Sequence, residues 1–189
     1  MKLPTFAVIK EVGPRDGLQN EKKIVGTKDK VKWIQLLSEA GLSYIEVSSF
    51  VHPKWVPALA DASDVFAELK RNSDITYAAL VPNQNGLERA LLQNVDEVNV
   101  FLSASESHNK SNINKSIKEA LSVVRDITKQ AGFAGKRVRG YVSTVFGCPY
   151  EGDVSIDAVD ELCNQLFSYG IYEVSLGDTI GVANPLQVE

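Results

Sequence analysis

The feature of this sequence that most constrains its fold is a repeated alternation of short apolar segments with helical segments. Similar strand beginnings occur three times, as GLSYIEVS from Gly41, NVDEVNV from Asn94 and GIYEVSL from Gly170. A chain that repeats βα units forms a parallel sheet, because each crossover helix returns the chain to the same edge. No linker rich in Pro, Gly or Ser interrupts the pattern, so we predict a single domain over residues 1–189.

The apolar runs predict six strands, and the segments between them predict helices. The strands are expected at Phe6–Val12, Tyr44–Ser48, Ile75–Val81, Glu97–Leu102, Arg137–Ser143 and Tyr172–Leu176. The helices are expected from Thr27 to Gly41, at Val56–Lys70 and Asn85–Leu92, after Ser116, and at Ile156–Tyr169. The helix after Ser116 is the clearest, because Ser116 and Glu119 form the S-x-x-E capping-box pattern. This alternation fits either a doubly wound sheet or part of a (β/α)₈ barrel, and periodicity alone does not choose between them.

Composition excludes several classes of protein. With 44% hydrophobic and 23% charged residues the chain has the balance of a globular protein. A net charge of -4 gives no reason to expect binding to nucleic acid or to a membrane surface. Two cysteines cannot form a disulfide framework, and neither a signal peptide nor a transmembrane run is evident, so we expect a cytoplasmic location.

Polar clusters follow several of the predicted strands. They are GPRDG from Gly13, SSF from Ser48, GCPYEG from Gly147 and LGDTIG from Leu176. In a (β/α)₈ enzyme the catalytic groups lie at the carboxyl ends of the strands, so these loops are expected to meet at one mouth.

The pair Arg15 and Asp16 is the most informative of these clusters. A carboxylate in a glycine-flanked turn can reach a hard divalent cation, and Mg²⁺ often takes only one or two carboxylates. The neighbouring guanidinium can face a developing oxyanion, and Glu46 on the next strand can hold it in place. From the residues alone, a purely structural clamp between Arg15 and Glu46 is an equally good interpretation.

The motifs VGPRDGLQNEK, SSFVHPKWVPALAD, VRGYVSTVFGCPYEG and SLGDTIGVANP resemble, in this order, those of the 3-hydroxy-3-methylglutaryl-CoA lyases. These lyases belong to a superfamily of metallolyase barrels that also contains isopropylmalate and homocitrate synthases. The resemblance covers nearly the whole chain and implies a TIM (β/α)₈ barrel of which this chain supplies about the first six βα units. It also implies that the natural protein continues beyond residue 189.

The resemblance assigns roles to individual residues. It implies that Asp16 is a metal ligand, that Arg15 contacts the thioester carbonyl and stabilises an enolate, and that Glu46 and Asp178 belong to the catalytic set. Gln19 and Lys22 match positions close to the bound substrate. One departure is Ala58–Leu59, where many relatives have Gln–Met.

The implied activity is a metal-dependent cleavage of 3-hydroxy-3-methylglutaryl-CoA to acetyl-CoA and acetoacetate, with Mg²⁺ or Mn²⁺ as the cofactor. An acyl-CoA is the implied small-molecule partner, a homodimer is an expectation of the family, and a mature eukaryotic chain would lie in the mitochondrial matrix. Three alternatives remain open: a condensing enzyme of the isopropylmalate- or homocitrate-synthase kind, a non-catalytic fragment, and an α/β domain with a structural clamp.

The remaining nucleophiles and metal-ligating residues are given structural interpretations. His52 and His108 are predicted to be surface residues in loops. Cys148 is interpreted as a structural neighbour of the site, and Cys163 as part of the apolar face of its helix. Ser103, Ser105 and Ser107 have no His–Asp set beside them, so a serine hydrolase is not expected.

Overall fold

The structure is a computed structural model that describes residues 5–188. These residues form two compact units, 5–99 and 100–188. The helices are α1 (Thr27–Glu39), α2 (Ala62–Glu68), α3 (Gln84–Leu92), α4 (Glu106–Ile113), α5 (Ile117–Phe133), α6 (Ile156–Ser168) and α7 (Pro185–Val188). The strands are β1 (Tyr44–Ser49), β2 (Thr76–Leu80), β3 (Glu97–Ser103), β4 (Arg137–Ser143) and β5 (Glu173–Leu176). No helix among residues 5–188 combines the length and the apolar character needed to span a membrane.

The strands follow one another in the sheet in their chain order, β1-β2-β3-β4-β5. In the first unit β1 pairs with β2 and β2 pairs with β3, and in the second β4 pairs with β5, all in parallel. All six residues of β1 are buried. Burial on both faces is typical of parallel strands that lie under crossover helices, so the predicted α/β class with a parallel sheet is confirmed.

The predicted strand Phe6–Val12 is wrong as a regular strand. Only Glu11 pairs, through an isolated parallel bridge to Ile45, and the side chain of Phe6 is 78% exposed. A strand at this position needs a neighbour on each side to be buried, and β1 provides only one. The segment therefore has the apolar composition of a strand without the burial that would order it as one.

The remaining sequence predictions mostly match the observed elements. The strand Arg137–Ser143 is confirmed residue for residue as β4. The predicted helix Val56–Lys70 is divided into a short 3-10 turn, Pro57–Leu59, and α2, because Pro57 sits where the chain turns. Helix α4 was not predicted, since its sequence ESHNKSNI has no apolar periodicity.

Helix α5 begins as its sequence requires. The Ser116 hydroxyl accepts from the backbone N–H of Glu119 at 3.2 Å, and the Glu119 carboxylate accepts from the backbone N–H of Ser116 at 2.7 Å. The first turn of a helix leaves N–H groups without partners, and this reciprocal pair satisfies two donors there. The predicted capping box is confirmed.

Candidate active site

The site begins in the GPRDG segment, which forms a single π-helical turn, Gly13–Gly17. The carbonyl of Val12 accepts from the backbone N–H groups of Arg15 and Asp16 at 3.0 and 2.7 Å. The turn needs glycine at its start, because a Cβ on Gly13 would lie 2.8 Å from the Glu11 carboxylate and 3.2 Å from the Trp33 ring. This turn places Arg15 and Asp16 side by side just after the bridge at Glu11.

The turn and strand β1 meet through an ion pair. Arg15 donates from Nε to Oε1 of Glu46, and from Nη1 to Oδ1 of Asp16 at 2.6 Å. The side chain of Glu46 is fully buried, that of Arg15 is 11% exposed and that of Asp16 is 54% exposed. A buried carboxylate needs a charged or hydrogen-bonding partner. The ion pair with Arg15 therefore offsets the energetic cost of burying the Glu46 carboxylate.

Asn99 on β3 is a member of this group that the sequence analysis missed. Its Nδ2 donates to Oε2 of Glu46 and, at 2.8 Å, to the hydroxyl of Tyr44. The side chain is fully buried. A sequence signal was present, because an asparagine in the apolar run EVNVFL is a buried polar residue that requires partners.

Strand β1 is irregular next to this group. Glu46 pairs with Ala78, but the following pair is Ser48 with Ala79, so the register shifts at Val47. Such irregularities are over-represented beside active sites, where they re-aim a side chain.

Gln19 and Lys22 follow the turn and are both exposed. Their predicted contact with the substrate stays a prediction. Nearby, the Asn20 side chain donates to the carbonyl of Asp16 at 2.9 Å, which helps to fix the backbone of the turn.

Asp178 lies in the second unit, in the loop after β5, as its position in the sequence predicts. Its carboxylate accepts from the backbone N–H groups of Val182 and Ala183, both at 3.0 Å. In this arrangement Asp178 closes its own loop. Its predicted catalytic role stays a prediction.

The ends of β3 and β4 in the second unit carry hydroxyl and thiol groups that bond to one another. Ser103 Oγ lies 2.6 Å from Thr144 Oγ1, and Cys148 Sγ donates to Ser105 Oγ at 2.9 Å. Thr144 has a φ of 60°, a left-handed conformation that is rare for a β-branched residue. All four side chains are buried.

The thiol of Cys148 has an unusual environment for a buried cysteine. Burial raises its pKa, but the hydrogen bond with Ser105 and the backbone N–H groups of Tyr150 and Glu151 outweigh burial and lower the pKa below its ordinary value. Burial raises the pKa of Cys163, which is only half-buried rather than in the core as predicted.

The two histidines have different positions. His52 lies exposed in the loop after β1, as predicted. The prediction of a loop is wrong for His108, which lies in the first turn of α4 and is half-buried beside the ring of Tyr150. Burial lowers the pKa of His108, so its neutral form is favoured.

Asp16 is the one predicted metal ligand, and its surroundings suit part of a cation site. One of its carboxylate oxygens takes the Arg15 donor, while the side chain remains largely exposed in the turn. Among residues 5–188 no three His, Cys, Asp or Glu side chains gather closely enough to hold a metal ion. The described residues therefore fit a cation through one carboxylate and do not make a complete site.

The chain matches a known protein family over nearly its whole length. The HMGL-like family model matches residues 7–189. The chain belongs to the HMGL-like family. Enzymes of this family depend on a metal ion, and the family has the TIM-barrel fold, as predicted.

The HMGL-like chain is similar to several curated proteins. It is 58% identical over its full length to hydroxymethylglutaryl-CoA lyase YngG of Bacillus subtilis and 51% identical, over 97% of its length, to the human mitochondrial hydroxymethylglutaryl-CoA lyase. It spans 63% of the first of these relatives and 56% of the second.

Solved structures agree over the same region. The HMG-CoA lyase of Bacillus subtilis superimposes with a TM-score of 0.98, and the chain covers 63% of it. An HMG-CoA lyase from Acinetobacter baumannii, solved with coenzyme A and 3-methylmalate, gives a TM-score of 0.93 at 41% identity, with 96% of this chain and 59% of that one covered.

Proposed function

We propose that the natural protein containing this chain is a divalent-metal-dependent hydroxymethylglutaryl-CoA lyase. It cleaves (S)-3-hydroxy-3-methylglutaryl-CoA to acetyl-CoA and acetoacetate. The observation that carries the proposal is the Arg15 guanidinium, held on two of its nitrogens by Glu46 and Asp16 at the end of a buried parallel sheet. The identity of 58% to a lyase over the whole chain supports it, and the comparisons do not favour the condensing enzymes or a non-catalytic fragment.

Arg15 performs the electrostatic part of the reaction. When the C3 hydroxyl loses its proton and becomes the carbonyl of acetoacetate, the C2–C3 bond breaks and its electron pair remains on C2. The negative charge spreads to the thioester oxygen as an enolate, which takes up a proton at C2 to give acetyl-CoA. A guanidinium has five N–H donors, so Arg15 can bond to Glu46 and Asp16 and still donate to that oxygen. Because Glu46 holds the Nε edge in place before substrate binds, little reorganisation is needed when the charge develops.

Asp16 contributes one carboxylate to a bound Mg²⁺ or Mn²⁺. Such a cation, when bound, polarises the substrate's C3 hydroxyl and makes its proton easier to remove. The exposed position of Asp16 in the turn suits this role, since Mg²⁺ commonly keeps most of its coordination sites for substrate and water.

Gln19 and Lys22 are proposed to bind the acyl-CoA substrate, and Asp178 to act in catalysis. Lys22 is exposed and cationic, which suits the carboxylate and phosphates of such a ligand. We further propose that both units belong to one catalytic barrel domain, that the protein forms a homodimer, and that it acts in the cytoplasm or, in a mature eukaryotic chain, in the mitochondrial matrix.

The test is an assay of the natural full-length protein with 3-hydroxy-3-methylglutaryl-CoA, with and without added Mg²⁺ or Mn²⁺. Formation of acetoacetate and acetyl-CoA, abolished by a chelator and restored by the metal, is the expected result. Condensation of acetyl-CoA with a 2-oxo acid would instead identify a synthase, and neither reaction would identify a non-catalytic protein. Arg125→Gln on the exposed side of α5 is the matched control for Arg15→Gln, because activity that survives both changes equally would mean that Arg15 has no role in the reaction.

A further inference from the structure

The pairing of β1, β2 and β3 explains how Asn99 reaches Glu46. Glu46 on β1 and Glu97 on β3 both pair with Ala78 on the intervening strand β2. Because side chains alternate along a strand, Asn99 lies on the same face as Glu97, and Tyr44 on the same face as Glu46. The small side chain of Ala78 leaves room for Asn99 to reach Glu46 across β2.

The orientation of the Asn99 amide follows from the chemistry of its partners. A carboxylate only accepts hydrogen bonds, so Nδ2 and not Oδ1 must face Glu46. The second hydrogen of Nδ2 goes to the Tyr44 hydroxyl. Oδ1 is buried and has no hydrogen-bond partner among residues 5–188.

The two oxygens of Glu46 are therefore held from opposite sides. Oε1 accepts from Arg15 and Oε2 accepts from Asn99. Each of these bonds restrains rotation of the carboxylate about its last side-chain bond. With both bonds, the carboxylate plane is set, and the direction of the Arg15 side chain is set with it.

We propose that Asn99 is a positioning residue for the reaction: it orients Glu46, and through Glu46 it orients Arg15. This inference rests on the proposed function, since it gives Arg15 the role described above. Asn99 itself bonds to Glu46 and Tyr44, and it acts on the enolate only through the ion pair.

The test is a double-mutant cycle in the natural full-length protein with its metal. Asn99→Leu, which keeps the volume and removes the hydrogen bonds, is expected to lower kcat about tenfold and to change KM by less than about threefold, because positioning matters most in the transition state. In the Glu46→Gln background the same change is expected to lower kcat by less than about twofold, since two residues that act through one contact are not additive. A tenfold loss in both backgrounds, or no loss in the wild type, overturns the proposal.

Asn109→Leu is the matched control. Asn109 is also a buried asparagine, and it bonds through both ends of its amide, to the backbone N–H of Ser103 and to the carbonyl of Lys115. Any effect of this change comes from the fold, so it is expected to be the same factor in the wild-type and Glu46→Gln backgrounds.

A second measurement does not depend on activity. The side-chain Nε–H of Arg15, assigned in NMR spectra by its loss in Arg15→Lys, is expected to exchange with water at least about tenfold faster in Asn99→Leu, because a loosened Glu46 protects it less. Unchanged exchange overturns the positioning role whether or not the protein cleaves its substrate. Absence of cleavage by the wild type with faster exchange in Asn99→Leu refutes the proposed function and leaves the orientation of Arg15 by Asn99 in place.

Discussion

The polar side chains near the strands differ in charge between the two units of the chain. In the unit 5–99 the polar groups near β1 and β3 include charged side chains, with Arg15 between Glu46 and Asp16. In the unit 100–188 the groups at the ends of β3 and β4 are neutral hydroxyls and a thiol, joined in pairs such as Ser103 with Thr144. Each unit also buries a charged side chain, Glu46 in the first and Arg139 in the second, but only in the first do the charged groups form the cluster around Arg15 and Asp16.

The difference in charge matters because buried charged groups and buried neutral groups differ in their energetic cost. A buried charge costs several kcal/mol unless it is paired, and such a cost is retained where charge has a use. Neutral hydroxyls that satisfy one another cost little and fix a loop in place. We therefore expect the group of Arg15, Glu46 and Asp16 to stabilise charge in the proposed reaction, and the hydroxyl and thiol pairs of the second unit to shape its loops.

The largest effect is expected from Arg15→Gln in the full-length protein. Losing a preorganised donor to a developing oxyanion lowers kcat on the order of 10²–10³-fold. Steady-state kinetics with 3-hydroxy-3-methylglutaryl-CoA measures it. Arg71→Gln is the control, since Arg71 bonds to the backbone carbonyls of Gln93 and Asn94. Equal losses for the two variants would mean that Arg15 has only a structural role.

Asp16→Asn should act on the metal before it acts on the chemistry. Removing the charge of a ligand is expected to weaken Mg²⁺ or Mn²⁺ binding roughly tenfold or more, as measured by calorimetric titration. Asp96→Asn is the control, because the Asp96 carboxylate accepts from the backbone N–H of Tyr77. Metal affinity that is equal in the wild type and in Asp16→Asn would remove the ligand assignment.

Cys148→Ala tests whether the buried thiol of the second unit has a structural role. The thiol is buried and holds Ser105, so its loss is expected to lower the free energy of unfolding by about 1–2 kcal/mol and to leave kcat within about threefold. Urea denaturation and kinetics on the same sample measure both. A loss of kcat as large as that of Arg15→Gln would show that Cys148 takes part in the chemistry and does not only stabilise its loop.

The smallest effect is expected at the start of α5. Ser116→Ala removes the cap and should cost about 1 kcal/mol at neutral pH. The backbone N–H of Ser116 and then its hydroxyl lower the pKa of Glu119, and only the hydroxyl bond is lost in the variant. The stabilisation from the hydroxyl bond is present above the ordinary carboxyl pKa and is lost as the pH falls through the lowered value. The difference in unfolding free energy between wild type and variant should shrink between pH 7 and pH 3, and a difference that grew on acidification would contradict it.

Some elements of the fold can be predicted from the sequence, and others cannot. Strand Arg137–Ser143 and the cap of α5 were predicted correctly, because β-branched runs and the S-x-x-E pattern act over neighbouring residues. Helix α4 was missed and Phe6–Val12 was predicted as a regular strand, because the order of both segments depends on what packs against them. Arg15 and Glu46 were paired in advance, but Asn99 was not, since its contact with Glu46 crosses the intervening strand β2.

Four features of this protein can be read from its sequence alone: the repeated βα pattern, the parallel sheet, the glycine-flanked turn with Arg15 and Asp16, and the resemblance to a family of lyases. These follow from short-range chemistry: side-chain periodicity, turn residues and caps. Two other features are seen only in the folded chain: Glu46 is fully buried between Arg15 and Asn99, and Asp178 closes its own loop. Burial and long-range hydrogen bonds depend on strands that are distant in sequence and adjacent in the sheet, and no local pattern encodes that adjacency.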